Sequence, residues 1–270
     1  MISEEVSAKI AEEINIDNYT FIKDEFGNLH RVVANEDNKE ILSFYTNSIY
    51  LSGKFWYEEL LNMSDADLEP LKIKEGKKAQ QVLDVLKEQI PYFGDQGSLL
   101  EVGCAVGSFL HSLSDTNLTL EGMDISDFSV PVSKKLYGDN RFTIKQHDVF
   151  EYFCNATDIG QEDYQEEQQK EYQKDYIVAL DFLEHVNMDA TLLKSLRNHL
   201  STQGKLIILV PLYDTSDPDA LAAANDVYPE HHLHLYCEEG LDSFLGSIGF
   251  GIAGKAKFKS GKKIMYILDK

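Results

Sequence analysis

Leu99-Leu100-Glu101-Val102-Gly103-Cys104-Ala105-Val106-Gly107-Ser108-Phe109-Leu110 is the stretch that decides the fold. A short apolar run that ends in an acid and enters a glycine-bearing turn has the pattern of a parallel strand, a tight loop and the first turn of a helix. Gly103 and Gly107 let the backbone bend sharply and lie close to a ligand, while Phe109, Leu110 and Leu113 begin a helix that packs back on the sheet. A dinucleotide fingerprint would want glycine at 103, 105 and 108, but the chain carries Gly103, Ala105 and Ser108. Glu101, at the strand tip, would repel a pyrophosphate and suits a ligand bearing positive charge.

The segment Glu101 to Gly107 resembles the first motif of class I S-adenosylmethionine-dependent methyltransferases, an acid followed by three spaced glycines, with Ala105 in place of the middle one. The resemblance implies a Rossmann-like, doubly wound α/β sheet, mostly parallel with an antiparallel C-terminal strand. It implies S-adenosyl-L-methionine as cofactor, a molecule whose ammonium and sulfonium suit Glu101.

A chain of 270 residues with 43% apolar content can bury a substantial core as one large domain or a domain with an extension. Its 46 acids against 25 bases give a net charge of −21, which repels polyanions and argues against nucleic acid and anionic membranes as partners. Cys104, Cys154 and Cys237 are too scattered for a disulfide framework or a zinc pair, which fits a reducing, cytoplasmic setting. No leader-like segment and no apolar run long enough to span a bilayer is apparent.

Residues 1–94 read as an N-terminal, α-rich extension, a possible lid and substrate-binding cap, before a transferase domain over 95–270. Ser3 to Ile14 carries Val6, Ile10 and Ile14 at helical spacing, and Phe21 to Val33 has hairpin character around Asp24 to Asn28. Phe44 to Tyr57 concentrates aromatic side chains around Gly53, either as packing or as a lid over the pocket. Lys77 to Ile90 predicts a helix stopped by Pro91.

Beyond the loop, Leu118 to Asp124 predicts a second strand whose terminal acid, 23 residues after Glu101, is placed to accept hydrogen bonds from ribose hydroxyls. A helix over Ser129 to Tyr137, with proline in its first turn, and a strand over Phe142 to Gln146 follow. The stretch 161–174, with five glutamines and five acids, predicts a solvated insertion. Tyr176 to Leu180 predicts a central strand, Met188 to Leu200 a helix, Lys205 to Pro211 a fifth strand, and Gly254 to Ser260 with Lys262 to Leu268 an antiparallel pair. Asp214 to Pro229 is a polar connection of the kind that serves substrate.

The resemblance continues at Leu183-Glu184-His185-Val186, similar to the L-E-H-V segment of the branch acting on quinones and sugars, and at His232-Leu233-His234-Leu235-Tyr236, similar to its H-x-H-x-Y segment. It implies a cofactor site of Glu101, Gly103, Ala105, Gly107, Asp124, Ile125, Asp148, Val149 and Leu180, with Asp148 at the adenine amino group. His232 and His185 are the candidate catalytic bases, since a neutral imidazole with an ordinary pKa near 6.5 can take an acceptor's proton; His234 competes with them. Histidine spacing offers no evident fourth zinc ligand, so no metal is expected. The expected function is methyl transfer to a small-molecule acceptor, a hydroxyl on a sugar, lipid-linked glycan or phenolic metabolite. The alternatives are a non-catalytic S-adenosylmethionine-binding subunit and a protein methyltransferase; a nicotinamide dehydrogenase would need different glycine spacing and a parallel sixth strand.

Overall fold

The computed structural model describes residues 13–16, 18–33, 50–51, 55–138, 141–153, 173–187, 189–217, 219, 221, 231–258 and 261–270. Its elements are β1 (Glu13–Ile16), β2 (Tyr19–Lys23), β3 (Leu29–Arg31), β4 (Tyr50–Leu51), β5 (Phe55–Trp56), α1 (Tyr57–Asn62), α2 (Asp65–Gln89), β6 (Gly97–Val102), α3 (Ser108–Ser112), β7 (Leu118–Asp124), α4 (Ser129–Tyr137), β8 (Phe142–Gln146), α5 (Val149–Phe153), β9 (Lys174–Leu180), a 3-10 turn (Leu183–His185), α6 (Asp189–Asn198), β10 (Leu200–Pro211), β11 (His234–Leu235), α7 (Glu238–Ile248), β12 (Gly251–Phe258) and β13 (Lys263–Asp269).

Seven strands form one sheet in the order β12-β13-β10-β9-β6-β7-β8. The pairs β6–β7, β6–β9, β7–β8 and β9–β10 are parallel, and β13 is antiparallel to both β10 and β12. This is the mostly parallel Rossmann-like sheet with an antiparallel terminal pair that the motifs imply. The continuous apolar run in β9 follows from cover on both faces: Ile177 and Ala179 join a core with α6 and α7, while Val178 joins the opposite core with α2 and α3. In β10, Leu206, Ile208 and Val210 face the first core, and Ile207 and Leu209 the second. No helix among the described residues is long and apolar enough to cross a membrane.

The N-terminal region departs most from expectation. Where helical spacing extended to Ile14, Glu13–Ile16 is a strand: Ile14 and Ile16 are buried, Glu13 and Asn15 exposed, and the segment pairs antiparallel with β2. The rest of the expected Ser3 helix lies outside the described residues. The expected hairpin forms as β2 and β3, its turn closed by Asp24 Oδ1, which accepts the N–H groups of Phe26 at 2.9 Å and Asn28 at 2.8 Å. β3 also pairs with β11, completing a second sheet, β1-β2-β3-β11. Most of Phe44 to Tyr57, and the side chains of its paired strands β4 and β5, lie outside what the structure describes.

The helix expected from Lys77 starts at Asp65, because Ser64 caps it through the Asp67 N–H and Leu68 and Leu71 extend its buried stripe. Pro70 sits early enough to cost one hydrogen bond and no more of the helix. Near the other boundary, α6 ends at Asn198, and Leu200, expected in the helix, opens β10 with a register shift before Lys205. Gly204 is required there by contact: a Cβ would meet the Lys174 carbonyl oxygen at 2.8 Å. Residues 161–172 of the acidic insertion are outside the described residues, and Lys174 begins β9 with its Nζ 3.1 Å from Glu121 Oε1.

Candidate active site

In the strand order, the chain leaves β6 toward β7 and β8 on one side and toward β9 and β10 on the other, so the C-terminal end of β6 is the switch point where such sheets bind ligands. The loop at that point is built from three left-handed residues, Gly103 (φ 66°), Ala105 (φ 49°) and Gly107 (φ 75°). The Gly107 N–H donates to the Cys104 carbonyl at 2.8 Å, and the Cys104 N–H ties the loop to β7 through the Met123 carbonyl at 3.0 Å. A Cβ on Gly103 would lie 2.2 Å from the Phe182 ring, so glycine is needed there for both conformation and space. Ala105 carries a side chain in a conformation that costs about 1–2 kcal/mol. Its N–H donates to Asp124 Oδ2 at 2.8 Å, which holds it there.

The acids of this edge are buried. Asp124, 6% exposed, also accepts the Ser126 N–H on Oδ1 at 2.9 Å. Burial raises its carboxyl above the usual range, opposed by the Ser126 and Ala105 hydrogen bonds. Glu101 is 4% exposed, and its Oε2 has no hydrogen-bond partner among the described residues. Burial, and then the charge of Asp124, hold the Glu101 carboxyl well above the usual range. Asp148 Oδ1 accepts the Phe150 N–H at 2.7 Å and so caps α5. Ile125 follows Asp124, Val149 is buried at the start of α5, and Leu180 ends β9. All nine residues named from sequence thus lie along one edge, at the C-terminal ends of β6 to β9.

Beside that edge the chain turns after β9 through Asp181, itself left-handed (φ 50°) and ion-paired with Lys263. The 3-10 turn then presents Glu184 and His185. The 231–235 segment is fastened against it by the Leu233 N–H, which donates to the Glu184 carbonyl at 2.7 Å. His185 and His232 come together, ring centroids 4.8 Å apart. His185 Nδ1 lies 3.0 Å from the His231 carbonyl, which only accepts, so the ring proton is on Nδ1 and Nε2 is the basic nitrogen. His232 Nδ1 lies 2.7 Å from the Tyr213 hydroxyl. Burial lowers His185 to about 4, and burial followed by the neighbouring His185 lowers His232 to about 3. Both rings thus lie below the ordinary imidazole pKa expected from sequence, which favours their neutral forms.

Glu184, 1% exposed, has a buried Oε2 with no partner among the described residues, and burial reinforced by Asp181 raises its carboxyl to about 8. Its Oε1 is 3.8 Å from His185 Nε2. The Leu-Glu-His-Val resemblance contained Glu184, but only the fold shows its burial; Tyr213 carried no sequence signal. His234, the third candidate histidine, points elsewhere, its Nδ1 2.7 Å from Nδ1 of His30.

The family model described as a methyltransferase domain matches residues 75–253. No curated relative matches the chain. Solved structures share the fold. Magnesium protoporphyrin IX methyltransferase from Synechocystis PCC 6803 with bound SAH has a TM-score of 0.52 and 16% identity, over 77% of this chain and 89% of that one. With bound SAM the same enzyme gives 0.53 and 14%, over 88% and 99%. An O-methyltransferase family 2 protein from Planctomyces limnophilus DSM 3776, in complex with apigenin, gives 0.54 and 14%, over 77% and 62%. With about two thirds of its length matched by that family model, the chain belongs to the methyltransferase-domain family.

Proposed function

We propose that the chain moves a methyl group from S-adenosyl-L-methionine to a hydroxyl of a small-molecule acceptor, a sugar, a lipid-linked glycan or a phenolic metabolite. The observation that carries the donor is the buried Glu101 oxygen, without a partner among the described residues, beside the Gly103 turn, a place for the methionine ammonium. Asp124 serves the ribose with the lone pairs its two backbone contacts leave over, and Asp148 serves the adenine amino group. The two cofactor-bound neighbours support the donor, and the apigenin complex supports a phenolic acceptor.

The sulfonium supplies an electrophilic methyl, so the chain's task is to align the acceptor oxygen and receive its proton. Alignment is worth about 7–11 kcal/mol. His232 and His185, neutral and adjacent, accept the acceptor's O–H and orient its lone pair toward the donor. The extension through residue 94 supplies three strands of the small sheet and the long helix α2, which packs into the second core of the large sheet; on this reading it caps the acceptor side. The test is titration with S-adenosylhomocysteine followed by a screen of hydroxylated acceptors with labelled donor. Label transferred to a hydroxyl supports the proposal. Transfer only to protein overturns the acceptor class, and cofactor binding without any turnover points to a non-catalytic subunit.

A further inference from the structure

His30 and His234 are cross-strand partners in the β3–β11 pair, which fixes their rings on one face of the small sheet. Their Nδ1 atoms lie 2.7 Å apart. Each outer nitrogen faces an oxygen: His30 Nε2 is 2.9 Å from Asp24 Oδ2, and His234 Nε2 is 2.8 Å from the Val186 carbonyl. A carbonyl and an ionised carboxylate only accept, so both outer nitrogens carry hydrogen and both inner nitrogens present lone pairs to one another. Two lone pairs at that distance repel unless a positive charge lies between them. Asp189, at the start of α6, brings Oδ2 to 4.0 Å from His234 Nδ1, and the Tyr236 hydroxyl donates to that same oxygen at 2.8 Å.

We infer that His30, His234 and Asp189 form a binding site for a divalent transition-metal cation of the zinc class, which fastens the N-terminal sheet to the head of α6. The three ligand atoms lie within 4.8 Å of one another. Two imidazoles and one carboxylate are a donor set for zinc and its first-row neighbours. The outer contacts are those that orient metal ligands: one histidine held by a carboxylate, the other by a carbonyl, and the carboxylate by a phenol. Entry is from the His30 side, where the ring is 27% exposed against 8% for His234 and for Asp189. At a bond length of about 2.0–2.1 Å the present nitrogen spacing of 2.7 Å subtends roughly 80°, so a tetrahedral ion opens the pair by about 0.6–0.7 Å, with water as fourth ligand. Because His30 lies 204 residues from His234, no ligand spacing in the sequence reveals the site.

This inference is independent of the methyl-transfer proposal. Its test is titration of the chelator-treated, full-length protein with Co(II), read by visible d–d absorption, and displacement by Zn(II). One equivalent bound, with affinity reduced at least about 100-fold in His30→Ala and in Asp189→Asn but retained in Glu184→Gln, is the expected result. Circular dichroism on each variant separates loss of the site from loss of fold. Failure of the folded wild type to bind overturns the site and leaves a shared proton as the charge between the rings. Binding that survives His30→Ala and disappears in Glu184→Gln overturns it too, by placing the ion at the neighbouring His185–His232 pair.

Discussion

Asp124 Oδ2 accepts the N–H of Ala105 at 2.8 Å, so the acid that ends the second parallel strand of the large sheet is also what holds the loop of the first. The same carboxylate anchors Ser126 through its other oxygen. Asp124→Ala removes both anchors and the expected ribose contact together. At about 1.5–3 kcal/mol for a charge-assisted bond, cofactor affinity falls at least tenfold, as calorimetric titration will measure; an unchanged affinity rejects the assignment.

Ala105→Gly should stabilise the protein, against the usual expectation for a change to glycine. Relief of the left-handed strain is worth about 1–2 kcal/mol, and the added freedom of the unfolded chain offsets about 0.4–1 of it. A net gain of about 0.5–1 kcal/mol in urea unfolding is the predicted outcome. Gly103→Ala goes the other way, losing about 1–3 kcal/mol, since the new methyl meets the Phe182 ring at 2.2 Å.

Glu184 makes stability depend on pH in the direction opposite to an ion-paired acid. Its folded pKa of about 8 lies above the reference value of 4.5, so between the two the native state holds more protons than the unfolded one and stability falls as pH rises. The slope reaches about 1.4 kcal/mol per pH unit. Glu184→Gln removes this component, so denaturation midpoints of wild type and variant should converge below the reference value of 4.5 and separate toward about pH 8, the variant being the more stable. Parallel curves rule out a neutral buried Glu184.

His185 and His232 set the acid side. With folded values of about 4 and about 3, neither ring takes up a proton at the ordinary histidine pKa. The stability they hold is present above about 6.5 and lost as pH falls through their folded values. The acid limb of single-turnover transfer should therefore lie below about pH 5. His232→Ala and His185→Ala should lose about 10²–10⁴ in rate with cofactor affinity nearly intact. A limb at pH 6.5, or full turnover in both variants, rejects the histidine roles.

The large sheet was legible because its signals are local. The apolar run of β9, the glycine turn after β6 and the acid at the end of β7 each lie within a few residues, and the edge they form follows from strand order. The small sheet was not. Ile14 fits a helical stripe with Val6 and Ile10 and a strand with Ile16 equally well, and only pairing with Phe21 in β2 decides between them. The start of α2 was hidden by Pro70, which reads as a helix breaker unless Ser64 is known to cap the turn before it. In the candidate site, residue identities near the motifs were visible, whereas what burial does to their protons was not. Tyr213 meets His232 only through the fold.

The pairing of β3 with β11 has a consequence for how the molecule is made. A ribosome delivers residues 29–31 long before residues 234–235, and until then β3 is an open edge beside two short strands. Closing a loop of that length comes late because its entropy must be met before any contact rewards it. Hydrogen exchange pulsed during refolding should accordingly show the amides of β2 and β3 gaining protection after those of β6 and β9, so that the small sheet stays open to proteases after the middle of the large sheet has become resistant.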